Sequence, residues 1–250
     1  MKTMSKLADD NHPLVNKMAR KLTESENTLR NKLQKLFYFV RDDIKFGFTA
    51  KGDLMKASET IEVGMGQCNN KGTLLLALCK AANIPARVHF SLIRKEIQKG
   101  IFGGLGYRLL PPLLSHCWID VKIDGRWRRI DSYINDAAFY RGGLMELKRK
   151  GWHTGYSISG SCGNSSAEFN IEDEKFVQMD AVEADHGVWK DPADYFITKK
   201  YQNRPGFFRL WVYRLMIKRL NKNVQRLRRN SRENGLCEIS CQKEIMHQKA

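Results

Sequence analysis

The chain contains no uninterrupted apolar run approaching the roughly 18 residues a membrane-spanning helix needs. Its first residues, MKTMSKLADDNHP, hold no apolar segment of the secretory type. No segment repeats at a fixed period. Metal-ligand sets are thin: Cys237 and Cys241 with His247 fall short of a full structural zinc set and lie in a polar tail. Gly103-Gly104-Leu105-Gly106 lacks the strand and lysine context of a phosphate-binding loop. These absences predict a cytoplasmic protein with no cofactor and no bound metal. In that compartment Cys68, Cys79, Cys117, Cys162, Cys237 and Cys241 are expected as free thiols. Asn164-Ser165-Ser166 would accept a glycan only in a secreted chain.

Acidic residues are scarce at one end. From Arg204 to Ala250 there are 12 Lys/Arg against 3 Asp/Glu. This stretch carries +9 of the net +16, leaving +7 on the other 203 residues. The charge excess therefore does not oblige the main domain to bind a polyanion. With 42% hydrophobic residues in 250, the chain can bury a real core.

The spacing of Leu29, Leu33, Leu36, Phe37 and Val40 predicts helix between His12 and about Asp43, with Thr23 as a cap and Glu26 three residues on. Ile44 to Phe48 reads as extended. Residues 57–66 are mixed, with Gly64 and Gly66 punctuating the approach to Cys68. Residues 68–82 read as a central helix, since Leu74, Leu75, Leu76, Leu78 and Ala81 leave little polar face. Asn83 suits a left-handed cap. A strand follows from Ala86 to Leu92, then a long loop over 94–114. A short helix near 143–150, a turn at Ala184–Gly187, and one or two strands around 168–180 complete the reading.

The strongest local signal is a hairpin: Ser115–Ile123 and Arg126–Tyr133 around Asp124-Gly125, a pair suited to a two-residue turn. Such a turn sets Ile123 opposite Arg126 and Trp118 opposite Asp131. His116 and Asp131 then become diagonal neighbours on one face, about 7–8 Å apart at the backbone, within reach of a side-chain hydrogen bond. An aspartate so placed would hold an imidazole in one tautomer. Cys68 opens an apolar helix, where the helix dipole favours a thiolate nucleophile and free backbone N–H groups could stabilise an oxyanion. Cys79 and Cys117 alternate with apolar residues and read as inert. Gln67 is a further oxyanion candidate and Trp118 a substrate-side one. His186 reads as structural.

Gly66-Gln67-Cys68, Lys71-Gly72-Thr73-Leu74, Ala77-Leu78 and Asn83-Ile84-Pro85-Ala86-Arg87 together resemble the cysteine motif of the transglutaminase-like superfamily. Ser115-His116-Cys117-Trp118 with Asp120-Val121, and Gly125-Arg126-Trp127 leading to Asp131, resemble its histidine and aspartate motifs. Asp185-His186-Gly187 and Asp191–Phe196 resemble stand-alone bacterial members. The resemblance implies an α+β, papain-like cysteine protease (transglutaminase core) fold, in which a helix bearing the nucleophile packs on an antiparallel sheet. It implies a Cys68–His116–Asp131 triad acting on a peptide or small-amide substrate through a thioacyl-enzyme, by hydrolysis or acyl transfer. The alternatives are a non-catalytic binding module of the same fold, or a peripheral membrane protein acting through its basic tail. The link between Cys68 and the His–Asp face rests on the resemblance alone.

The domain is expected over 9–203, with a basic amphipathic helical extension over 204–250 whose end, past about 231, is expected to be disordered. Leu210, Tyr213, Ile217, Leu220, Val224 and Leu227 form its apolar stripe, amid eight nearby Arg and Lys. The stripe either docks on the domain or, with Phe207, Phe208 and Trp211, meets an anionic membrane surface through 207–229. Binding to nucleic acid ranks third.

Overall fold

A computed structural model describes residues 4–159, 167–172, 177–204 and 206–247, with the backbone alone for 207–209 and 233–247. Cys162, the 164–166 acceptor, and the side chains of Phe207, Phe208, Cys237, Cys241 and His247 lie outside the described residues, as does the expected disorder past 231, apart from the helical backbone to 247 and the side chains of Ser231 and Arg232.

The N-terminal helical region is two helices, not one. Helix α1 spans Pro13–Thr23, with Pro13 at its first turn and the His12 ring accepting from Leu14 N–H. Thr23 closes this helix, its hydroxyl donating to Ala19 O at 2.8 Å, instead of opening the next one. Thr28 caps α2 (Leu29–Tyr38) by accepting from Asn31 N–H at 3.1 Å. A wide turn, Phe39–Asp43, leads to β1 (Lys45–Phe46). After a tight turn at Gly52–Leu54, α3 (Ala57–Val63) ends on Gly64 at φ +65°, and β2 (Met65–Gly66) pairs in parallel with β1.

Helix α4 (Cys68–Ala81) is buried from Asn69 through Cys79, as its leucine content predicts, and Asn83 takes φ +57° beyond its end. Strand β3 (Ala86–Arg94), the short helix α5 (Gly104–Arg108) and strands β4 (Leu113–Ile123) and β5 (Arg126–Ile130) follow. Asp124 and Gly125 both adopt positive φ, and Ile123 faces Arg126. The hairpin register is the predicted one. Asp131 lies one residue beyond β5.

Helix α6 (Ala137–Lys150) starts six residues before the predicted 143, because Asp136 caps it by accepting from Phe139 N–H. A small hairpin, β6 (Thr154–Gly155) and β7 (Ile158–Ser159), follows. Among the described residues, 168–180 contain no strand; the strand is β8 (Val182–Trp189), which includes the segment predicted as a turn. The turn signal there is a bulge. Phe90 faces Gly187 and Ser91 faces Asp185, so His186 has no partner in the ladder, and Gly187 sits at φ +77°. Helix α7 is Pro192–Phe196.

The main sheet is antiparallel, in the order β5-β4-β3-β8. Val88, Phe90, Cys117, Ile119 and Val121 meet the leucines of α4 in one core, and α1, α2 and α3 cover the rest of that helix. This is the mixed helix and antiparallel sheet arrangement the sequence predicts. Helix α8 (Phe207–His247) docks on the domain. Leu220, Val224 and Leu227 are buried. Asn221 accepts from Phe48 N–H at 2.8 Å and donates to Phe48 O at 2.9 Å. Arg228 makes a buried ion pair with Asp136 at 2.5 Å. Gly142 allows α6 to approach so closely that a Cβ there would lie 2.1 Å from Leu227 O. Among the described residues no helix is long and apolar enough to cross a membrane.

Candidate active site

Cys68 is the first residue of α4, and the polar residues around it are anchors. Gln67 N–H donates to Asn70 Oδ1 at 3.2 Å, and Asn70 Nδ2 donates to Gly52 O at 2.9 Å. Asn69 Nδ2 donates to Asp53 Oδ2 at 2.9 Å and to Ser115 O at 3.1 Å. Lys71, fully buried, donates to Ile134 O at 2.7 Å and Arg41 O at 3.1 Å. The run Gln-Cys-Asn-Asn-Lys thus fastens the start of the helix to three separate loops.

The same turn meets the histidine strand. Asn69 is bonded to the carbonyl of Ser115, the residue before His116. One turn along α4, Gly72 lies against Cys117, the residue after it; a Cβ on Gly72 would be 2.5 Å from Cys117 Sγ and 2.9 Å from Tyr133 Oη. A helix-interior glycine costs about 1 kcal/mol relative to alanine; here it lets the helix lie close to β4. No local sequence pattern reveals that approach, although Gly72 is its only trace.

His116 and Asp131, both buried, form the expected pair: His116 Nε2–H donates to Asp131 Oδ2 at 3.2 Å. In a neutral ring this leaves Nδ1 as a bare proton acceptor. His116 Nδ1 has no hydrogen-bond partner in this structure, so Cys68 and His116 are not hydrogen-bonded to each other. The structure therefore joins His116 to Asp131 directly, and Cys68 to the strand residues on either side of His116.

The thiol's resting state departs from expectation. Cys68 is half-buried and opens onto a cavity between the domain and α8. This burial raises its pKa well above the usual thiol value, and the charges of Asp53 and Asp131 raise it further; hydrogen bonds from the Asn69 and Cys68 backbone N–H groups lower it less. Two carboxylates and poor solvation outweigh the helix terminus, so the resting thiol is neutral. Burial also pushes Cys79 up to about 12 and raises Cys117 well above its ordinary value.

Asp53 escapes notice in the sequence, where it sits in an undistinguished loop. It is buried, with no ion pair among the described residues, and accepts from Gln67 Nε2, Asn69 Nδ2, Tyr201 Oη and Asn203 Nδ2, the last three at 2.9 Å. It joins the start of α4 to the segment leading into α8. Trp118 is buried away from the cavity, stacked on His89 at 4.3 Å with its indole N–H given to Asp120 at 3.0 Å. His186 Nδ1 lies 2.8 Å from Tyr195 Oη, which lies 3.0 Å from Ser115 Oγ. Among the described residues no three His, Cys, Asp or Glu side chains converge as a metal site.

The cavity measures about 750 Å³, and Gln67, Cys68, Asp53 and Ser115 line one part of it. The Transglutaminase-like superfamily profile matches residues 16–132, a span that holds Cys68, His116 and Asp131. That part of the chain is similar to the transglutaminase-like superfamily. Among solved structures, a “putative cysteine protease” from Cytophaga hutchinsonii is 17% identical with a TM-score of 0.46, covering 76% of this chain and 46% of its own. A “putative protease” from Parabacteroides distasonis is 15% identical with a TM-score of 0.34, covering 50% of this chain and 25% of its own. The chain spans less than half the length of either. A comparison with curated proteins finds no match. The matched span runs from within α1 to just past β5, while β8, which pairs with β3 in the same sheet, lies beyond it.

Proposed function

We propose that the protein is a thiol-dependent enzyme that cleaves an amide or peptide bond, with Cys68 as nucleophile, His116 as base and acid, and Asp131 orienting the imidazole. The observation that carries this reading is the buried His116–Asp131 pair with its free Nδ1, on the strand segment to which the Cys68 turn is anchored. Because the resting thiol is neutral, the reaction begins with proton transfer from Sγ to Nδ1 as substrate enters. The sulfur then attacks the carbonyl carbon, forming a C–S bond and an oxyanion. The Cys68 backbone N–H, in the first helical turn, is the backbone oxyanion donor. Gln67 keeps a second amide N–H beyond the one given to Asp53 and lines the cavity, so it is the side-chain candidate for the same task. Collapse breaks the C–N bond, and His116 returns the proton to the leaving amine. Water or an amine then attacks the thioester, loses its proton to His116 and releases the thiol. Trp118, outside the cavity lining, is assigned to holding His89 and Asp120.

The test is turnover of amide substrates together with labelling by iodoacetamide. Cys68→Ala should abolish turnover, and in the parent protein peptide mass spectrometry should find Cys68 alkylated while Cys79 and Cys117 stay unmodified. His116→Ala should lower turnover by about 10²-fold or more, the usual contribution of a positioned acid–base group. Turnover that persists in Cys68→Ala, or full turnover in His116→Ala, would sink the assignment.

A further inference from the structure

The cavity at Cys68 is much larger and more apolar than a scissile amide requires. Its volume of about 750 Å³ lies in the upper part of the range for small-molecule sites, about 300–1,000 Å³. Gln67, Ser115 and Asn203 stand near its Cys68 end beside the Asp53 carboxylate, and Gln98, Ser157, Gln178 and Gln202, with Lys51, Arg204 and Arg214, add further polar groups to the lining. Much of the remaining wall is hydrocarbon, including Phe48, Phe102, Leu110, Leu114, Phe196 and Met216. Leu110, Leu114 and Met216 remain half-buried within an otherwise packed domain, so they present apolar surface to the empty space. The apolar character continues to the outside. Leu54 and Ile197 line the cavity and are 50% and 42% exposed. Leu105, 68% exposed, adjoins the lining residue Gly106.

An apolar space of this size with a nucleophile in its wall selects its ligand by hydrophobic burial. Most of its lining surface is hydrocarbon, so an extended peptide backbone would lose more hydrogen bonds to water than it regains from the wall. A hydrocarbon chain has no such groups. Resting on the thiol-enzyme reading above, we infer that the substrate is an acyl amide whose medium or long hydrocarbon chain fills this cavity while its carbonyl lies at Cys68. The bond broken is C–N, the bond formed first is C–S, and water releases the fatty acid.

The experiment is a homologous series of N-acyl aminocoumarins from acetyl to decanoyl, with a capped peptidyl aminocoumarin for comparison. Turnover is measured with the full chain. The expected result is that kcat/KM rises by about fourfold per added methylene, the ratio set by burying one CH₂, and then levels off as the cavity fills. Leu110→Trp should move the levelling point to shorter chains. A flat series, or faster turnover of the peptidyl substrate than of the decanoyl one, overturns the inference while leaving the thiol enzyme intact. Binding is measured separately by calorimetry of decanamide and acetamide with Cys68→Ala, which needs no catalysis. Tighter binding of decanamide supports the cavity's role even if no amide is turned over, in which case the enzyme reading falls instead. Equal weak binding of both overturns the acyl site.

Discussion

Cys68 has a neighbourhood that holds it protonated. Burial dominates, and the Asp53 and Asp131 charges act in the same direction. Alkylation requires the thiolate, so its rate should rise with pH and reach its inflection above the ordinary thiol value of about 8.5. Asp53→Asn removes one of the charges and should move the inflection down. A pH series of iodoacetamide rates on both proteins checks this; an inflection below 7 in the parent protein would mean that a thiolate–imidazolium pair already exists at rest. Lys71 makes a second residue-scale prediction. Burial lowers its pKa from 10.5 to about 7, against weaker opposing help from Asp136. Between those values the unfolded chain binds a proton that the folded protein does not. This group's contribution therefore makes stability rise with pH from about 7 to 10.5, by at most about 1.4 kcal/mol per unit. Lys71→Met should flatten that slope, as read from urea unfolding at several pH values, even though it leaves two carbonyls without their donor.

At the scale of elements, two glycines set the helix positions that matter. Gly72 brings α4 against Cys117 and Tyr133. Gly72→Ala should gain helix propensity and still lose stability, since the contact at 2.5 Å cannot be kept and overpacking costs about 1–3 kcal/mol. Adding Cys117→Ala should recover part of the loss, and a double-mutant cycle of thermal unfolding measures the coupling. Full additivity would mean that the two elements do not press on each other. Gly142 does the same for α6 and α8, but there the obstacle is the Leu227 backbone, which no side-chain rotation relieves. The β4–β5 hairpin is the element most legible beforehand. Asp-Gly needs positive φ at both positions, that requirement fixes the register, and the register places His116 diagonal to Asp131. The bulge in β8 was not legible, because Asp-His-Gly has the same local chemistry in a turn as in a bulged strand. Only pairing with β3 separates the two.

For the whole molecule, α8 is the part whose role depends on tertiary context. Its apolar stripe and basic composition are plain in the sequence and equally suit docking or a surface partner. In the structure Leu220, Val224 and Leu227 are buried, Arg228 pairs with Asp136, and Tyr213 Oη bonds Thr49 O at 3.0 Å. The first turns of the helix also wall the cavity through Leu210, Val212 and Met216. Removal of residues 204–250 should therefore lower the unfolding temperature and open the Cys68 cavity, not merely detach a basic tail. Differential scanning calorimetry of the truncated chain tests this; an unchanged transition would mean that the helix is dispensable to the domain. A buried ion pair is poorly screened, so moderate salt should affect the full chain's stability little.

Periodicity, turn chemistry and motif spacing, all local, were enough to determine the central helix, the hairpin, the pairing of His116 with Asp131 and the candidacy of Cys68. Each depends on backbone rules that act over a few residues. Only the tertiary structure decided that α4 lies against β4, that Asp53 holds the start of that helix, that the Cys68 thiol rests neutral, and that α8 roofs an apolar cavity. Those outcomes depend on desolvation and on contacts between residues 150 or more positions apart, such as Asp53 with Asn203 and Phe48 with Asn221. Local patterns carry no record of such distances, because burial and long-range electrostatics exist only once the chain has closed on itself.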